Sequence, residues 1–186
     1  NVLERLGNQD IAIDCDAFFY QIEKEQKLFV KTKYYEEGRQ ILENEHMLVL
    51  LGDPGVGKTM LTKMLALTFA AEGYRIRYTT NGELSDLKRA LSADRERKEL
   101  IVLDDCLGQH YFKMQETKEN ELLALVKYIM RNPAKLLIMN SRVTIFHEAK
   151  ERSCDFRYFM EDENIKIRKI DCLLYTSPSP RDRSLS

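Results

Sequence analysis

Three short stretches carry residues whose types and spacing suit phosphate chemistry. The first is Gly52-Asp53-Pro54-Gly55-Val56-Gly57-Lys58-Thr59, which fits G-x-x-x-x-G-K-[ST]. Its glycines let the backbone turn successive N–H groups toward one anion, and a helix starting near Gly57 would add the positive end of its dipole. Lys58 is the residue that reaches β- and γ-phosphates, and the Thr59 hydroxyl is of the kind that ligates Mg²⁺. A chance match in a chain this long has a probability of roughly one in a hundred on average residue usage. The expected nucleotide contacts run from Gly52 to Met60, with a nucleoside di- or triphosphate and Mg²⁺ as the implied ligands.

The second stretch is LIVLDD, Leu100–Asp105. Four apolar residues before an acid put Asp104 at a strand tip, where open α/β sheets bind ligands, and a magnesium-bound phosphate chain needs such a carboxylate. Asp105 has two readings: a group that orients or activates water, acting with Lys58 in catalysis, or an ordinary turn residue of a type aspartate favours. Related ATPases commonly carry glutamate there, so the shorter aspartate argues for slow hydrolysis. The third stretch ends LLIMNSR. Arg142 lies just past a strand tip, placed to sense a γ-phosphate or to stabilise charge developing on it; a plain surface cation is the other reading. Asn140 or Ser141 could position water.

The elements that must position these groups follow from periodicity. MLVLLG (Met47–Gly52) and ELIVLDD (Glu99–Asp105) are continuous apolar runs suited to strands buried on both faces, as is KLLIMNS (Lys135–Ser141). RIRYTT (Arg75–Thr80) alternates like a strand, and IKIRKID (Ile165–Asp171) is β-like. Leu61, Met64, Leu65 and Thr68 recur at helical spacing, as do Leu84, Leu87 and Leu91, and Leu122, Leu125, Val126 and Ile129 ahead of Pro133. Lys31–Glu45 suits a helix that Gly38 weakens, and Thr144–Glu151 a short one. Strands alternating with helices imply parallel βαβ crossovers and a three-layer α/β domain.

The 186 residues carry a net charge of −1 and are 44% hydrophobic, which suits one globular domain plus extensions. Near-neutrality offers no global electrostatic case for nucleic acid, and Lys88–Arg89 and Arg95–Arg97–Lys98 read as solvated surface. No run approaches the roughly 20 apolar residues of a membrane span, and no signal-peptide pattern opens the chain. Cys15, Cys106, Cys154 and Cys172 are scattered without C-x-x-C spacing, and His46, His110 and His147 are too dispersed for a metal cluster. This points to a reducing, cytoplasmic setting. Asn1 in place of methionine reads as a fragment or processed product.

With these three stretches the chain resembles the STAND class of P-loop ATPases, and within it the group known as novel STAND NTPase class three. The likeness runs from about Phe29 to Asp171. It is carried by FVKTKYYEEGRQIL, GDPGVGKTMLTKML, LDDCLG, and NSR followed by TIFHEAK. Two departures stand out: Cys106 replaces an aromatic after the acidic pair, and Asn140-Ser141-Arg142 stands where the class has Thr-Thr-Arg or Thr-Ser-Arg. The resemblance implies a parallel five-stranded sheet of order 5-1-4-3-2, the additional-strand class. It also implies that the segment from Phe29 to Tyr35 lies near the adenine, with Phe29 and Tyr34 as contacts; for Phe29, Tyr34 and Tyr35 a core role is the other reading. ATP over GTP follows from the family, and no N-K-x-D motif occurs.

The resemblance further implies a switch. ADP holds the resting state, and exchange for ATP, prompted by a downstream sensor, permits self-oligomerisation and frees an upstream effector, often in defence against phage. Residues 1–28 then read as a linker or the end of an upstream region, and 29–171 as the truncated NTPase domain. CLLYTSPSPRD (Cys172–Asp182) is similar to a translated transposase sequencing adapter, so 172–186 is expected to be a non-native tail. The alternative function is a motor or loader ATPase acting on nucleic acid or protein, which would favour an acid–glutamate pair and an arginine finger for a neighbouring subunit. A small-molecule phosphotransferase would need a lid and acceptor pocket that the Arg-poor stretch Leu107–Lys127 does not suit, and a non-catalytic nucleotide scaffold is left open by Asp105.

Overall fold

The computed structural model of the protein describes residues 20, 33–80, 84–91, 93–108, 116–163 and 165–170. The linker reading of 1–28 (apart from Tyr20), the adenine assignment of Phe29 and the adapter-like tail lie outside these residues.

Five strands form the sheet: β1 (Met47–Leu51), β2 (Arg75–Thr80), β3 (Glu99–Asp104), β4 (Lys135–Ser141) and β5 (Lys166–Lys169); β1, β3 and β4 are apolar runs buried almost throughout, β2 alternates and β5 is only partly buried. All pairings are parallel and the order is β2-β3-β4-β1-β5, the order 5-1-4-3-2 implied by the sequence resemblance. Every residue of β1 and β4 is buried. Around the sheet lie α1 (Lys33–Glu45), α2 (Lys58–Ala71), α3 (Leu84–Ala90), α4 (Glu116–Met130), α5 (Val143–Arg152) and α6 (Cys154–Met160). Helices α1 and α2 pack together on one face, and α3 to α6 form the other layer. Gly38 is part of that first contact: a Cβ there would lie 3.1 Å from Leu65 and 3.2 Å from Leu48, so its lack of a side chain lets α1 sit close to α2 and β1.

Register brings the chemistry to one edge. Leu51 at the end of β1 pairs with Ser141 at the end of β4, and Leu103 near the end of β3 pairs with Met139. The connections leaving β1, β3 and β4 therefore emerge side by side at the carboxyl edge, where ligands bind in open α/β sheets.

The opposite edge holds a buried ion cluster. Glu99 accepts from Arg77 Nη2 at 2.8 Å and from Lys135 Nζ at 2.6 Å. Lys135 Nζ also donates to the carbonyls of Asp94 and Arg97, each at 2.9 Å, which ties the α3–β3 connection to β4. Burial pushes the Glu99 carboxyl up, but the hydrogen bonds and charges of Lys135 and Arg77 outweigh it and leave Glu99 below the usual range. No helix among the described residues is long and apolar enough to cross a membrane.

Candidate functional site

The loop between β1 and α2 begins on the backbone of β4, where the Gly52 amide donates to the Ser141 carbonyl at 3.4 Å. Gly52 tolerates no side chain. A Cβ there would come within 2.6 Å of the Ile170 carbonyl oxygen and 2.7 Å of Val56 Cγ2. Gly55 and Gly57 have φ of 84° and 96°, the left-handed region that costs other residues most, and Gly57 turns directly into α2. It brings no capping side chain, so the first amides of α2 stay available to an anion.

Lys58 Nζ donates to the carbonyls of Gly52 at 2.7 Å and Asp53 at 2.9 Å, folding the ammonium back over the loop. Desolvation lowers its pKa and Arg142 acts in the same direction, while Asp105 and Asp53 oppose them. Thr59 Oγ1 lies 3.4 Å from Asp104 Oδ1, longer than a tight hydroxyl–carboxylate bond. The other Asp104 oxygen accepts from Tyr78 Oη at 2.9 Å. Tyr78 played no part in the sequence reading. It lies on β2 on the same face as Asp104 and one row lower, since it pairs with Val102; strand order alone does not give this register.

Strand β3 stops at Asp104, one residue short of the sequence boundary, because Asp105 turns into the left-handed region with φ 49°. Desolvation raises the Asp105 pKa, with Asp104 adding to it and Arg142 and Lys58 opposing. The Asp105 amide donates to Asn140 Oδ1 at 2.8 Å. Cys106, which stands where the class has an aromatic, is buried; its thiol is pushed up to about 12, chiefly by desolvation.

Arg142 caps the start of α5 in extended conformation. A cleft of about 360 Å³ is lined by the Pro54–Thr59 side of the loop together with Asp104, Asp105, Asn140 and Arg142. Of the expected γ-phosphate group, Arg142 thus faces the cleft directly. Asn140, although 2% exposed, also lines it, whereas Ser141, 1% exposed, turns its hydroxyl to the Arg142 carbonyl at 3.3 Å and does not. Tyr34 is half-buried against the core, and Met60, also half-buried, does not line the cleft. Two cations, two carboxylates and a hydroxyl around one cleft, beside a turn rich in amides, equip it for a polyphosphate with a divalent cation. Adjacent hydroxyl and carboxylate oxygens from Thr59 and Asp104 suit Mg²⁺, which keeps several waters and takes its remaining ligands from phosphate.

The Novel STAND NTPase 3 family profile matches residues 29–178. The chain belongs to that family. It is a nucleotide-binding P-loop ATPase module, with the fold of ATP-hydrolysing enzymes. The family match runs past Cys172 to residue 178 and lends no support to an adapter-derived tail. No curated protein matches the chain. Among solved structures, AMPPCP-bound DnaA from Aquifex aeolicus is similar with a TM-score of 0.54 and 17% identity, over 74% of this chain and 44% of that one. The replication initiator DnaA bound to AMPPCP and single-stranded DNA is similar at 0.52 and 16%, over 77% and 48%. At these identities the likeness is one of fold, and this family member spans less than half the length of either structure.

Proposed function

We propose that the chain is the ATP-binding and ATP-hydrolysing module, residues 29–171, of a larger self-associating protein in a reducing, cytoplasmic setting. The observation that carries this is the single cleft in which Lys58, Thr59, Asp104, Asp105 and Arg142 converge. In this reading the amides of Gly55, Gly57, Lys58 and Thr59 and the Lys58 ammonium hold the phosphates, and Thr59 and Asp104 would hold Mg²⁺, which would supply charge neutralisation to the phosphate chain. Asp105 orders the attacking water, and Arg142 meets charge developing on the γ-phosphate.

Two finer readings divide on what the cycle drives. A motor or loader ATPase acting on nucleic acid is supported by the replication initiators among the similar structures, one of them bound to single-stranded DNA. It now stands ahead of the slow signalling switch that led the sequence reading. The switch, with an upstream effector and a downstream sensor, keeps the support of the family match and of aspartate at position 105. ATP turnover by the chain, measured with and without single-stranded DNA, separates them. DNA-stimulated turnover supports the loader, whereas slow, DNA-indifferent turnover with ADP retained through purification supports the switch. Failure to bind Mg-ATP at all would overturn both.

A further inference from the structure

The Asp105 turn is held by Asn140, a residue whose place in the sequence suggested that it positions water. With φ at 49°, Asp105 occupies a region that aspartate and asparagine visit more readily than other non-glycine residues, and still at a cost. Two successive amides of this turn end on Asn140. The Asp105 amide donates to its side-chain Oδ1 at 2.8 Å, and the Cys106 amide to its main-chain carbonyl at 3.2 Å. The Gly108 amide closes the turn on the Asp105 carbonyl at 2.9 Å. Asn140 Nδ2 points the other way and lies 3.4 Å from Thr62 Oγ1 in α2, the helix that follows the phosphate loop. Asn140 is 2% exposed and Thr62 1%. For Asn140 to turn its amide toward a phosphate or a water, it would have to leave the Asp105 N–H unpaired, which protein interiors avoid.

We propose that Asn140 is a positioning residue: it fixes the left-handed turn that carries the Asp105 carboxylate to the cleft and ties that turn to α2 behind the phosphate loop. This deepens the reading of Asp105 as the group that orders water, and rests on it. It also accounts for the residue type at 105. A backbone held in the left-handed region favours aspartate over glutamate, so the shorter acid matches the conformation that Asn140 imposes.

The test is a double-mutant cycle on the 186-residue chain, reading single-turnover ATP hydrolysis together with dissociation constants for ATP and ADP. Asp105→Asn alone tests the reading beneath the proposal; an unchanged rate would remove Asp105 from the chemistry and the proposal with it. If that rate falls, Asn140→Ala is expected to slow hydrolysis roughly ten- to a hundredfold, the scale of a misplaced catalytic group, with both dissociation constants within about twofold of wild type. In the Asp105→Asn background it should slow the residual rate by less than about twofold. Weakened binding of ATP but not of ADP would overturn the proposal in favour of direct γ-phosphate contact, and an equal loss of rate in both backgrounds would show that Asn140 acts without Asp105. Should Asn140→Ala fail to fold, Asn140→Thr takes its place in the same cycle, since a β-branched residue suits a strand and its short hydroxyl loses the reach to the Asp105 amide.

Discussion

Lys58 spends its ammonium on two loop carbonyls, so bound phosphate has to outcompete the Gly52 and Asp53 oxygens for it. Lys58→Ala should remove measurable Mg-ATP binding. If charge-assisted bonds contribute about 3 kcal/mol, the loss is roughly a hundredfold or more, read by calorimetry or a fluorescent ATP analogue. Asp105 gives a second residue-scale expectation. Desolvation holds its pKa above the ordinary aspartate value and Arg142 pulls it down. A carboxylate that orders water works deprotonated, so turnover should fall as pH drops through that raised value. Arg142→Ala removes a lowering influence and should move the acid limb of the pH–rate profile to higher pH. A limb that stays in place would separate Arg142 from Asp105.

At the scale of elements, the ion cluster at the amino edge of β2, β3 and β4 is where stability is most exposed to a single change. Glu99→Gln leaves Arg77 and Lys135 facing each other without their shared anion, which should cost about 3–5 kcal/mol in urea unfolding. Because the folded Glu99 value is depressed, its stabilisation is present above the ordinary glutamate range and is lost as pH falls through the folded value. Glu99→Gln should therefore flatten the acid side of the stability profile. This cluster was not legible in the sequence, since Arg77, Glu99 and Lys135 are remote along the chain and meet only through strand register. The central strands β1, β3 and β4 were legible as apolar runs buried almost throughout, and β2 and β5 by their alternation. Helix α6 was missed although Ser153 accepts from the Phe156 amide at 3.0 Å, and Ser153 with Phe156, Phe159 and Met160 is a readable cap and stripe. Its seven residues were too short to stand out beside α5. The acid pair was legible as strand tip plus turn, whereas the contacts of Tyr78 and Asn140 depend on register and side-chain direction, which strand order alone does not give.

For the molecule as a whole, sheet order and layer count followed from motif and resemblance, whereas what the ATPase cycle drives is written in none of the three motifs, and the chain spans less than half of the structures it resembles. One contact joins the end of the sheet to the phosphate loop. The Ile170 amide donates to the Leu51 carbonyl at 2.6 Å, and the Ile170 carbonyl occupies the space a side chain at Gly52 would need. Gly52→Ala should therefore destabilise the fold by about 1–3 kcal/mol through overpacking, and it should weaken nucleotide binding as well, checked by thermal melts with and without Mg-ATP. The backbone leaving the sheet is thus fastened at the root of the phosphate grip. Considered mechanically, a pull on the backbone at Ile170 is borne first by its hydrogen bond to Leu51, one residue before the grip, so peeling the edge strand β5 from β1 and loosening Gly52 are one event.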